Sequence, residues 1–244
     1  MRFYKLQKVA LKISNNPAKF LNGITSNALD RPRSAFVDFH GKIVATFDQL
    51  SIDGENHLIV VEEIVLDSLM KHLERYILLS KAIVERQDCK VYFDLDGTYK
   101  KNGDAHVIPQ RKGQLVLTRE NLENTVAAED FTLFRLQNNI PVQGIEYNND
   151  FLLNVDESEF VSFTKGCFLG QEFLSKVHNR SKPSWKLVAK FEDDCTAEEK
   201  QKMTSKTLDP QAQKILGFVF VSNLPSKEGA EKSGAGGAGS EKKS

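Results

Sequence analysis

Residues 165 to 172 read Lys-Gly-Cys-Phe-Leu-Gly-Gln-Glu and hold the most unusual local chemistry of the chain. Gly170 marks the start of a helix, with Phe173, Leu174 and Val177 expected on its inner face. Cys167 then precedes a helix N-terminus, where free N–H groups and the dipole favour an anion. Lys165 lies two residues away. Both effects favour the thiolate, the reactive form of the residue. Gly166 is expected to permit a backbone shape that other residues resist. Glu172 falls in the first helical turn, where a carboxylate is welcome. The plain alternative is an inert, packed cysteine and an ordinary helix-start glutamate.

A papain-like nucleophile would need a histidine base beside it. His178 lies at the far end of the expected helix, and His40, His57, His72 and His106 show no pattern tying them to Cys167. His72 is expected to be solvated on the charged face of its helix. A single cysteine is also a poor structural metal site, and no metal is expected. Redox exchange or sulfur handling is what remains for the thiol. Cys89 is expected to pack and Cys195 to be incidental; the three cysteines show no metal spacing and suit a reducing compartment.

The elements that must position this motif are legible in outline. Residues 8–14 alternate like a strand. Residues 15–25 suit a short helix, capped by Asn16, opened by Pro17 and ended by Gly23. Residues 34–53 form an expected hairpin around Gly41. A strong helix follows, with Leu66, Leu69, Leu73 and Ile77 on one stripe. Short strands then lead to a helix over 127–139, a loop, the motif, and two final strands. Runs of strands joined by short turns, with helices between, indicate an α+β class with antiparallel sheets and helices packed on a face.

Lysine plus arginine equals aspartate plus glutamate, 33 against 33, so no global pull towards nucleic acid or anionic lipid is expected. No apolar leader or membrane-length run is seen, and the expectation is a cytoplasmic protein. Residues 225–244 carry no large apolar side chain and are expected to be a disordered tail.

The motif Lys165, Gly166, Cys167, Phe168, Leu169, Gly170, Gln171, Glu172 resembles the K-G-C-[FY]-x-G-Q-E signature of the YgfZ-type branch of the glycine-cleavage T-protein superfamily. Residues 20–29, 35–47 and 134–147 resemble further segments of that family, and the likeness spans roughly residues 1 to 190. It implies a three-part arrangement around a central channel holding a tetrahydrofolate, with a small C-terminal β-barrel. It further implies support of iron–sulfur cluster assembly or repair, including iron–sulfur-dependent tRNA modification. The implied partners are iron–sulfur enzymes or assembly proteins, with no direct nucleic acid and no membrane. Cys167 and Lys165 would be the working thiol and its neighbour. Glu172, Gln171, Asn27, Arg135, Glu146 and Asp48 would be channel residues, with Glu172 accepting hydrogen bonds from the pterin. Read as residues alone, Glu146 can be part of a turn and Arg135 a solvated helix residue.

The sequence departs from the T-protein enzyme in two ways. The enzyme's aspartate on the second hairpin strand falls here near Ala45 and Thr46, with Asp48 two residues later. A shift of two keeps the face but moves the side chain about 6 to 7 Å, and a bulge could restore it. The stretch after Lys186 also offers only two clear strands, little for a closed barrel. The expected organisation is a folate-binding region over 1–183, a reduced β region over 184–224, and the tail. The leading expectation is a tetrahydrofolate-binding accessory protein without classical catalysis. The alternatives are a folate-dependent aminomethyl or one-carbon transferase, and a scaffold that has lost folate binding.

Overall fold

The computed structural model describes residues 1–223, so the tail expected over 225–244 lies outside the described residues. The chain opens with β1 (Phe3–Leu6) and β2 (Lys8–Ser14), which only Gln7 separates although they enter different sheets. Next come α1 (Pro17–Asn22), the hairpin of β3 (Arg33–Val37) and β4 (Ile43–Ser51), and β5 (His57–Glu62). The helix α2 (Leu66–Ser80) leads to β6 (Ile83–Arg86), β7 (Lys90–Asp94), β8 (His106–Pro109) and β9 (Gln114–Thr118). Helices α3 (Ala128–Gln137), α4 (Leu152–Val155), α5 (Glu157–Phe160) and α6 (Gln171–Arg180) follow. The chain continues with β10 (Trp185–Phe191), α7 (Ala197–Lys202), β11 (Thr204–Asp209) and β12 (Lys214–Ser222).

These elements build an α+β fold of three antiparallel sheets. The central sheet has the order β3-β4-β5-β2-β6, the second β1-β7-β9-β8, and the third β10-β12-β11. Strand alternation explains how the central sheet is covered. On one face Val9, Leu11, Ile13, Phe47, Ile59 and Val61 pack under Leu69 and Leu73 of α2 and Phe20 and Leu21 of α1. On the other face Ala10, Leu58 and Val60 meet Val91, Phe93 and Leu115 of the second sheet. Further along that face, Ala35, Val37 and Ile43 join Leu174 of α6 and Leu187, Leu216 and Phe218 of the third sheet.

Several expectations change. Asn16 does not cap α1: it sits at φ 63 with no side-chain cap bond, and Pro17 alone sets the helix start. The C-terminal β region is reduced, as expected, and forms an open three-stranded sheet with no closed barrel among the described residues. Its third strand, β11, lies where a linker is expected, because its polar Thr-Ser-Lys-Thr run hides a bulged edge strand. Cys195 is not incidental: it is buried with Met203 and Val219 beneath that sheet. His72 is half-buried, with its Nε2 enclosed and unpartnered, because Tyr76 leans against the ring. Phe173 is 41% exposed, while Leu174 and Val177 lie on the inner face of α6 as expected.

Candidate functional site

The register of the central sheet gathers four charges on one face. Arg33 lies opposite Asp48 across β3 and β4, Asp48 opposite Val60 across β4 and β5, and Lys8 opposite Glu62 across β2 and β5. Directly paired residues share a face, as do residues two apart on a strand. Lys8 therefore reaches over β5, and its Nζ lies 2.9 Å from both Asp48 Oδ2 and Glu62 Oε1. Gln110 Nε2 donates to Asp48 Oδ1 at 3.0 Å. Arg33 Nε lies 3.4 Å from the same oxygen, without hydrogen-bond geometry. Burial alone would raise the Asp48 carboxyl. The charges of Lys8 and Arg33, with hydrogen bonds from Lys8 and Gln110, outweigh it and hold the group below the ordinary carboxylate range. Burial likewise opposes the Lys8 charge, and Asp48 and Glu62 overcome it, so the ammonium persists above its ordinary range.

A bulge does occur in the hairpin: Phe36 pairs with Ala45 but Val37 with Ile43, leaving Val44 as the extra residue. Its loosened backbone is taken up by Gln143, whose amide accepts from Thr46 N at 2.8 Å and donates to Val44 O at 3.1 Å. Tyr147 closes the group, its hydroxyl 2.7 Å from Thr46 Oγ1.

These residues floor a cavity of about 240 Å³, walled on its other sides by Leu6, Phe93, Phe131, Ile140 and Ile145. Arg135 also lines it. Its guanidinium grips Glu146 bidentately, at 2.9 and 3.1 Å, and donates to Ile140 O. Glu146 stands behind Arg135 and further accepts from Val142 N at 2.6 Å and from the Ser205 hydroxyl. Ser205 holds φ 52 at the bulge of β11, so the third sheet helps to fix a cavity residue. The structure thus brings together Asp48, Arg135 and, one step back, Glu146.

The motif lies elsewhere. Cys167 is exposed, as is Glu172, and neither lines this cavity; nor does Gln171. Asn27 is spent on the backbone, donating to Arg33 O and Glu159 O and accepting from Ala28 N. Lys165 turns its ammonium to Thr25 O at 2.6 Å and Asn27 O at 3.1 Å, clamping the motif to that segment. His178 pairs with Glu157 at 2.8 Å and stacks on Phe163. The glycine with a special backbone is Gly170, at φ 82, and not Gly166. A Cβ on Gly166 would meet nothing within 4 Å, whereas one on Gly170 would lie 2.4 Å from Asp38 O.

Burial pushes Lys165 down to about 8 from its ordinary 10.5. Between those values the unfolded chain binds a proton that the folded chain lacks. The penalty for the buried charge is therefore full below pH 8 and fades as pH rises to 10.5, so stability rises across that window. Urea midpoints compared with Lys165→Met should show this rise in the native chain alone. Identical slopes in both would contradict it.

The crystal structure of the glycine cleavage system aminomethyltransferase T from Bartonella henselae superposes with a TM-score of 0.66 over 90% of this chain and 78% of that one, at 12% identity. The chain has the T-protein fold. In sequence it is 26% identical, over 231 residues, to the "Iron-sulfur cluster assembly factor IBA57 homolog, mitochondrial" of Dictyostelium discoideum. That match takes in 66% of this chain and 54% of the relative, so the chain spans about half of the relative's length. No protein-family model matches. Among the described residues, no helix is long and apolar enough to cross a membrane.

Within this T-protein fold, Lys8, Arg33, Glu62, Gln110, Gln143 and Tyr147, which line the cavity, and Ser205, which braces Glu146 behind it, are residues of the candidate site that sequence reasoning did not select. One signal was available for three of them. Lys8, Glu62 and Arg33 are charges at the ends of strands with apolar, buried middles, where a charge needs a partner.

Proposed function

We propose that this chain binds a tetrahydrofolate in the cavity and supports iron–sulfur cluster assembly or repair, without transferring one-carbon groups. The observation that carries the binding, non-catalytic half is the state of Asp48. A general base needs a free lone pair and an appreciable proton affinity. Asp48 instead is held by Lys8, Arg33 and Gln110 and kept below the ordinary carboxylate range. The cluster half is supported by the name of the Dictyostelium relative. That relative's mitochondrial name leaves the compartment of this chain open beside the cytoplasmic expectation.

The cavity suits a reduced pterin. Such a ring has apolar faces and a polar edge, and the cavity opposes a wall of Leu6, Phe93 and Ile140 to a floor of hydrogen-bonding groups. Glu62 keeps one oxygen beyond the one used by Lys8, and exposed Lys5 is available for a carboxylate tail. Cys167, exposed on a clamped loop, would handle sulfur or redox exchange with an iron–sulfur partner, including enzymes of tRNA modification. The same reading treats residues 1–183 as the folate-binding region, with the C-terminal β region beginning at 184.

Anaerobic calorimetry with tetrahydrofolate tests this. Thr132 lines the cavity, and Thr132→Trp should fill it and weaken saturable binding at least tenfold, while Glu172→Ala leaves binding unchanged. The reverse pattern would move the site to the motif. No binding by the intact chain would favour a scaffold. Undiminished support of cluster enzymes by Cys167→Ser in cells would remove the thiol from the proposal.

A further inference from the structure

Lys8 is an internal ammonium set between two carboxylates at the floor of a cavity. The three side chains are 13%, 3% and 14% exposed for Lys8, Asp48 and Glu62, and both contacts are 2.9 Å. Burying such a group gives little net stability, since desolvation offsets most of the attraction. An apolar trio on three neighbouring strands would serve the fold as well. What the arrangement does achieve is occupancy. Two acidic groups facing a cavity form an attractive seat for a cation, and here the seat is filled from within the chain.

We infer that Lys8 is a specificity-determining residue of the cavity: its ammonium takes the seat that Asp48 and Glu62 would otherwise offer to a primary alkylammonium ion, so the intact protein refuses such cations between these two carboxylates. Asp48 would keep its charge without Lys8, because Arg33 and Gln110 still hold it. Shortening Lys8 would leave a slot that opens on the 240 Å³ cavity and so can be reached by a small molecule. Beyond its Cβ, a lysine side chain is an n-propylammonium ion, and that ion is the fitting probe. The inference concerns the same cavity as the folate proposal, but folate is absent from every arm of its test.

The experiment measures thermal midpoints of the intact chain, Lys8→Ala and Lys8→Met in n-propylammonium chloride against equal tetramethylammonium chloride. The quaternary ion carries the same charge but no N–H to donate. Lys8→Ala should gain about 2 to 4 °C in the primary amine. The intact chain and Lys8→Met, whose side chain still fills the slot, should gain nothing. If Lys8→Ala does not fold in the control salt, its soluble yield in the two salts replaces the midpoint. Equal behaviour of Lys8→Ala in both salts, on either readout, would overturn the inference. So would an equal gain by Lys8→Met or the intact chain, since the amine would then be acting elsewhere.

Discussion

Arg135→Ala should lower stability by about 3–5 kcal/mol, the cost of leaving a buried carboxylate without its partner. The Arg135 and Glu146 side chains are 5% and 0% exposed, so in the native chain the Glu146 carboxylate relies on protein partners rather than on water. The loss should appear in urea unfolding as a lower midpoint with an unchanged slope. Glu146→Ala should cost a similar amount, because it strands the guanidinium together with the Val142 N–H and the Ser205 hydroxyl. The double variant should fall well short of the sum, with a coupling of about 1–3 kcal/mol. Additive losses would show that the two groups act separately. Arg135 lines the cavity, so the single variants should also weaken any ligand held there.

The second large effect belongs to the motif. Gly170→Ala places a methyl 2.4 Å from Asp38 O and 2.9 Å from Val37 Cγ2, on a backbone at φ 82. The left-handed conformation alone costs an L-residue about 1–2 kcal/mol, and the clash with a backbone oxygen has no flexible partner to yield. A loss of at least about 2 kcal/mol is expected. It should be accompanied by faster hydrogen exchange in α6, which docks on the hairpin at this point. Gly166→Ala is the internal comparison: with open space around it, it should stay within about 0.5 kcal/mol of the native chain. Equal losses at the two glycines would refute the docking account.

Local features of this chain were legible before its structure. The strand over 8–14 and the apolar stripe of α2 rest on periodicity, which needs no knowledge of neighbours. The turn at Gly41, at φ 73, rests on a residue with few conformational rivals. The site was legible only in part, because it is made by register. Asp48 and Arg135 were reachable through the family resemblance, but nothing local says that Lys8 ends up beside Asp48. That follows from which strands become neighbours and by how many residues they are offset. Gln143 is harder still: its amide replaces ladder bonds at a bulge that no composition announces. Ser205 sits in a polar stretch with no strand signal, and its left-handed backbone is imposed by the edge it lies on.

The single residue between β1 and β2 has a mechanical consequence. Residues 4 to 8 line the cavity while crossing from the second sheet to the central one, with Gln7 the whole of that crossing; residues 87–89, between β6 and β7, make a second short crossing. The two sheets are thus the jaws of a clasp with a very short pin. Prising them apart would load the pin directly and peel Phe3–Leu6 from its four partners on β7. The aperture is consequently stiff. Its width is set by strand pairing, and any guest must be admitted through side-chain movement at the rim rather than by the jaws opening.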